Sequence, residues 1–218
     1  MKKYTLYDKD IREPLFMYLE ELYGKIRILE EVNIGDSRAD AIGVINGALM
    51  GIEIKSDADT YVRLDRQVKD YLEFFDYNYV VVGSTHSTHI KEHVPENFGI
   101  ISVEYDEESG KLDFYTLRMP IPNKERKTAN KLSLLWRPEL AHIQQLTGMH
   151  KYDGKSKAWV RDKIMDMISE PLLNDYISEE LFERDYEAIR QQINDYRKSK
   201  SLKPRRNLKK RKYRTKKL

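Results

Sequence analysis

Apolar residues near the N-terminus recur at helical spacing, and Leu15, Leu19 and Leu22 predict a first helix that Asp10 caps and Gly24 ends. Pro14 falls in its first turn, where a missing N–H costs little. The period then shortens. Ile26, Ile28, Val32 and Ile34 alternate through Lys25–Ile34 and predict a strand, irregular at the Glu30-Glu31 pair. Two more runs, Arg38–Ile45 and Ala48–Lys55, flank Asn46-Gly47, which suits a two-residue hairpin because both residues tolerate positive φ. Helical spacing returns over Thr60–Asp76, with Leu64, Val68, Tyr71, Leu72 and Phe75 on one face. Tyr79–Gly83 is an apolar run of the kind buried on both faces of a sheet. A short helix at Thr85–Val94, a strand at Gly99–Glu104, a Ser109-Gly110 turn and a strand at Leu112–Arg118 complete the pattern.

The resulting order, α-β-β-β-α-β-α-β-β, predicts an α/β domain with a mixed sheet over residues 1–120. Pro120, Pro122 and the polar run Asn123–Asn130 mark a linker at 121–131. Beyond it the pattern is helical only, at Leu132–Leu146, Ala158–Ile168 and Leu172–Asn194. A small all-α accessory domain is expected over 132–196, followed by a disordered basic tail at 197–218.

Charge changes this picture more than composition does. The 218 residues carry a net charge of +3 and contain no cysteine, which excludes disulfides and cysteine-based zinc sites. From Arg197 to Leu218 there are 13 Lys and Arg and no Asp or Glu, whereas the rest carries 26 basic against 36 acidic side chains, a net −10. A block of like charge repels itself and suits a polyanion, adding salt-sensitive and sequence-independent affinity. Nucleic acid is therefore the expected partner, with Arg205, Arg206, Lys209, Lys210, Arg211 and Lys212 as contacts. The charged start, MKKYTLYDKD, lacks the apolar stretch of a secretory signal, and no run approaches the ~20 apolar residues of a membrane span. A cytoplasmic protein without a membrane partner is expected.

The hairpin brings specific chemistry together. If Asn46 and Gly47 are the turn, Ile45 pairs with Ala48, and the same register opposes Asp40 to Glu53 and Arg38 to Lys55. Glu53 and Lys55, two apart, share a face. Directly opposed carboxylates ~5 Å apart are destabilising, and the flanking pairs Ile42/Gly51 and Val44/Leu49 are apolar. A divalent cation reverses that balance. Mg²⁺ or Mn²⁺ takes one or two carboxylates with water and phosphate oxygens, so Asp40 and Glu53, with the Ile54 carbonyl, are candidate metal ligands. Lys55 is placed to orient or deprotonate an attacking water, or to stabilise developing charge.

In this arrangement, Ser37-Arg38-Ala39-Asp40 followed by Glu53-Ile54-Lys55 resembles the PD-(D/E)xK, or restriction-endonuclease-like, nuclease superfamily. No proline precedes Asp40, where Ala39 stands. Gln67-Val68-Lys69-Asp70-Tyr71 resembles the QxxxY motif of its RecB-like and related branches, and the two residues lie one helical turn apart. Residues 7–104 also resemble small bacterial and phage members of that superfamily that continue into a helical tail. The resemblance implies an αβββαβ core, Mg²⁺ or Mn²⁺ as cofactor and metal-dependent hydrolysis of DNA. It also implies roles for Gln67 and Tyr71 in positioning substrate or supporting Lys55. A third acid often comes from the first helix or strand in that superfamily. Glu13, Glu20 and Glu31 are candidates here, and Glu31 is preferred because its strand adjoins the hairpin.

Other features carry less. Asp59 or Thr60 suits a helix cap. His86, His89 and His93 share a helical face but have no evident fourth ligand, so surface or capping roles are the simpler reading than zinc. Gly154-Lys155-Ser156-Lys157 before a helix distantly resembles a SAP-type DNA-binding module, making Lys155 and Lys157 candidate phosphate contacts beside the plainer reading of an accessory bundle. The alternative to a nuclease is a non-catalytic nucleic-acid-binding protein that keeps the fold as scaffold.

Overall fold

The structure, a computed structural model, describes residues 5–199. Helix α1 (Asp8–Tyr23) begins two residues before the expected cap, because the Asp10 carboxylate reaches back to the Tyr7 N–H at 3.2 Å from inside the first turn. It leads into β1 (Arg27–Ile34), β2 (Ser37–Ile45) and β3 (Ala48–Lys55). A single 3₁₀ turn at Tyr61–Arg63 precedes α2 (Leu64–Phe74), followed by β4 (Tyr77–Gly83), β5 (Phe98–Asp106) and β6 (Lys111–Arg118). The predicted helix at 85–94 is reduced to turns and a 3₁₀ segment at Ile90–Glu92.

The six strands lie in sequence order in one mixed sheet. β1–β2, β2–β3 and β5–β6 are antiparallel, whereas β3–β4 and β4–β5 are parallel. This is the expected α/β architecture with an αβββαβ core. One face of the sheet packs on α1, through Leu15 and Leu19 against Ala41, Ile52, Tyr79 and Val81. The other face packs on α2 and the later helices, through Ile42, Val44, Leu49 and Val80 against Val68, Tyr71 and Phe75. Parallel strands covered on both faces explain why Tyr79–Val82 is apolar at every position.

The hairpin register is as predicted, Ile45↔Ala48 through Ala41↔Ile52, but its turn differs in kind. Gly47 has φ 69°, whereas Asn46 keeps a negative φ. The turn is further held by the Ser178 hydroxyl, which accepts from the Gly47 N–H at 3.0 Å.

The helices beyond the sheet depart from the expected bounds, with Leu132–Leu146 and Leu172–Asn194 each divided in two and Ala158–Ile168 displaced by a single residue. They are α3 (Thr128–Ser133), α4 (Arg137–Leu146), α5 (Lys157–Met167), α6 (Glu170–Phe182) and α7 (Tyr186–Ser199). Pro138 and Pro171 stand in the first turns of α4 and α6, which proline permits while blocking continuation from the preceding residues. Among the described residues, those up to Glu183 form one compact unit and residues 184–199 a second, in which the Asp185 carboxylate caps α7 by accepting from Glu187 and Ala188 N–H groups at 2.9 Å.

Within the first unit, α3 to α6 share a hydrophobic core with the sheet, so this helical stretch does not stand apart as a separate body. The 121–131 segment is a strap rather than a free linker. The Asn123 side chain donates to the carbonyls of Leu72 and Phe75 at 2.7 and 2.8 Å, satisfying the orphan carbonyls at the end of α2. Lys131 is fully buried and its ammonium meets Asp76 and Asn174, each at 2.6 Å. Among the described residues no helix is long and apolar enough to cross a membrane.

Candidate functional site

The centre of the site lies where the β2–β3 ladder opens. Ladder pairing stops at Ala41↔Ile52, one step short of Asp40 and Glu53. The Asp40 carboxylate takes up the Ile54 N–H at 2.8 Å, and the Asp40 carbonyl accepts from Arg12 of α1 at 3.2 Å. Side chains thus take the place of strand-to-strand bonds for the Ile54 N–H and the Asp40 carbonyl.

A second irregularity coincides with the first. Ile26 and Ile28 pack on the α1 side of the sheet but Val32 and Ile34 on the other, and Ala41 and Ala39 divide in the same way. Both strands therefore reverse their alternation at the level of Glu31 and Asp40, and the ladder on either side stays in one register. Glu31 carries the change with φ 56°, the one positive φ among described non-glycine residues. Such an outlier is held by its surroundings and concentrates at functional sites. Here it is held by guanidiniums: the Glu31 carboxylate meets Arg12 and Arg38, each at 2.7 Å.

Glu53 and Lys55 are both buried on the α2 side of β3. The Lys55 ammonium donates to Glu53 at 2.6 Å and to the Gln67 carbonyl oxygen at 3.0 Å. The Tyr71 hydroxyl lies 2.9 Å from the second Glu53 oxygen and 3.0 Å from the Ile52 carbonyl, so its one proton serves these two acceptors. Burial, first, and the Glu53 charge push the Tyr71 phenol well above its ordinary value, which keeps it a donor. Gly51 makes this approach possible, because a Cβ there would stand 2.2 Å from Phe75 and 2.6 Å from Tyr71.

Burial also dominates at Asp40, with the facing Glu53 charge second, and together they push its carboxyl up to about 7 against the Ile54 hydrogen bond. A buried Glu53 carboxylate facing the half-buried Asp40 carboxylate, with a backbone carbonyl between Glu53 and Lys55, is a hard-oxygen donor set that fits Mg²⁺ or Mn²⁺ completed by water and phosphate. The structure thus brings together Asp40, Glu53, Ile54, Lys55 and Gln67 along one cleft, with Tyr71 beneath. Glu31 lines the same cleft, but its ion pairs engage both its oxygens. Among the described residues no group of three or more His, Asp or Glu side chains is arranged to hold a metal.

Lys155 and Lys157 lie elsewhere, the first over the Trp159 ring at 5.1 Å and the second donating to the Ser133 carbonyl at 2.8 Å. Arg205, Arg206, Lys209, Lys210, Arg211 and Lys212 fall outside the described residues. His86 and His93 both pack on the Tyr61 ring. Sequence reasoning missed Arg12, Asp8, Arg63 and Arg66, which also line the cleft. Asp8 and Arg12 stand four apart on α1 and pair at 2.7 Å. That spacing was a visible signal of the pair, though not of its destination.

The family described as Bacteriophage P4 protein cII matches residues 1–208. The chain belongs to that family. A relative in it, Protein cII of Enterobacteria phage P4, is 25% identical over 95 residues, which are 43% of this chain and 36% of the relative. The chain thus spans about a third of that relative's length. Among solved structures, Pyrococcus furiosus SfsA in complex with Ca²⁺ is similar with a TM-score of 0.35 and 16% identity, over 54% of this chain and 67% of that one. A likeness of that size does not bear on the site.

Proposed function

We propose that this member of the cII family is a divalent-metal-dependent nuclease that hydrolyses DNA phosphodiester bonds with a PD-(D/E)xK site. The observation that carries the reading is the convergence of Asp40, Glu53, Lys55, Gln67 and Tyr71, from two strands and a helix, on one cleft. A sheet with no such task has no use for two mutually destabilising carboxylates on facing strands.

Asp40, Glu53 and the Ile54 carbonyl would hold Mg²⁺ or Mn²⁺, which supplies Lewis acidity to a phosphoryl oxygen and activates water. The chain's own groups do the rest. Of the three Lys55 N–H donors, one is taken by Glu53 and one by Gln67, leaving one for the attacking water or for an oxygen that gains charge at phosphorus. Gln67 fixes the direction of that ammonium. Tyr71 fixes the carboxylate of Glu53 from below, so the ligand is presented in one orientation.

One observation favours the alternative of a non-catalytic nucleic-acid-binding protein on the same fold. Glu53 is already neutralised by Lys55, and Glu31 by Arg12 and Arg38, so the acidic site is partly compensated from within. A cleavage assay on single-stranded, duplex and branched DNA with Mg²⁺ or Mn²⁺ separates the two. The nuclease reading requires cleavage by the native chain and its loss in Asp40→Ala, Glu53→Ala and Lys55→Ala. Full activity in Asp40→Ala would sink it.

A further inference from the structure

Five cationic side chains line the carboxylate cleft, and their states differ. Arg12 is held by Asp8 and Glu31, Arg38 by Glu31, and Lys55 by Glu53. Arg63 and Arg66 are exposed, and neither makes a hydrogen bond or ion pair among the described residues. Both stand on the wall formed by the 3₁₀ turn and the first turn of α2, and Gln67, which touches Lys55, follows Arg66 directly.

A polyanion approaching this cleft meets Asp8, Glu31, Asp36, Asp40, Glu53 and Asp59 on its lining, on a protein part that carries net −10 outside the basic terminus. Phosphates are repelled by that lining unless uncompensated cations meet them. The three neutralised cations offer little net field. Two guanidiniums with free planar forks offer charge and bidentate geometry for phosphate oxygens.

We infer that Arg63 and Arg66 form the phosphate-contact wall of the site, gripping the backbone of the nucleic-acid strand whose phosphodiester is presented to Asp40, Glu53 and Lys55. The assignment rests on the nuclease reading for the position of the scissile bond, but the contact itself is a binding property and is tested without catalysis. Arg63 and Arg66 read the backbone and not the bases, so they contribute affinity irrespective of sequence. Their grip also fixes the side from which the strand enters, along α2 rather than across the Arg12 side of the cleft.

The test measures DNA binding by the full chain in EDTA, using fluorescence anisotropy of a labelled single-stranded oligonucleotide and its duplex over a salt series. Arg63→Gln and Arg66→Gln are each expected to weaken binding to unrelated sequences alike, and to lower the slope of log K against log salt by about 0.7 to 0.9. The double variant is expected to lose about twice that slope. Lys111→Gln, at the far edge strand, is the control and is expected to leave the slope unchanged. A double variant that binds with native affinity and native slope overturns the inference, whether or not the chain cleaves. If the native chain binds DNA with the predicted dependence on Arg63 and Arg66 yet cleaves nothing with any metal, the wall stands and the nuclease reading falls.

Discussion

Replacing Asp40 by asparagine removes a half-buried ionisable group that faces Glu53 but keeps an oxygen for the Ile54 N–H, so the structure assigns the substitution a sign and a size. The Asp40 carboxyl is raised from 3.8 to about 7, by burial first and by Glu53 second. Between those two values the folded protein keeps a proton that the unfolded chain has released. Stability contributed at this position therefore falls as pH rises through that window, and the full loss is in place above about pH 7. Three pH units at about 1.36 kcal/mol each give about 4 kcal/mol as an upper figure. About 3 kcal/mol of it accrues between about pH 4.5 and about pH 8. The amide in Asp40→Asn does not titrate, so the difference between the two proteins isolates the group. Urea or thermal unfolding of both, in EDTA and at several pH values, should show the variant gaining on the native protein by about 3 kcal/mol over that range, or about 6–12 °C in Tm. Added Mn²⁺ near pH 8 should stabilise the native protein and leave the variant unmoved. A stability difference that stays constant across pH would refute the electrostatic account of Asp40.

Three further outcomes follow from the same geometry. Tyr71→Phe leaves a buried Glu53 oxygen without its donor and should cost about 1–3 kcal/mol in unfolding free energy, while cutting cleavage more than it weakens DNA binding. Gly51→Ala places a methyl group within 2.2 Å of the Phe75 ring, so backbone or rings must move; it should destabilise by about 1–3 kcal/mol and lower metal affinity through Tyr71. Deleting residues 197–218 should weaken DNA binding and flatten its salt dependence, with the Mn²⁺ isotherm of the remainder unchanged.

The parts of the site legible in the sequence were those encoded by local spacing. Asn46-Gly47 set the hairpin register, and with it the approach of Asp40 to Glu53 and the shared face of Glu53 and Lys55. Four-residue spacing on α2 put Gln67 and Tyr71 toward the same place. Glu30-Glu31 was readable as an irregular point of β1, because the apolar alternation stumbles there. What could not be read was the identity of partners distant in sequence. The Arg12 contact with the Asp40 carbonyl spans 28 residues, and nothing in the α1 pattern announces it. That contact, with the Asp40 bond to Ile54, is why the ladder ends one step before the predicted pair. The helical region shows the same limit. Amphipathic spacing says that Leu132, Ile143, Ile164 and Ile177 are buried, but not that their partner is the sheet face already carrying α2. Asn123 and Lys131 read as loop and solvent residues, and they were buried by Leu72, Phe75 and Asp76, which no local rule supplies.

The central claim is that Asp40 and Glu53 together hold a divalent ion. Calorimetric titration of Mn²⁺ into the full chain near pH 8 tests it most directly. The account predicts saturable binding that disappears in Asp40→Ala and in Glu53→Ala while both variants stay folded. A native isotherm without heat or saturation up to millimolar Mn²⁺, or one that Asp40→Ala leaves unchanged, would contradict it.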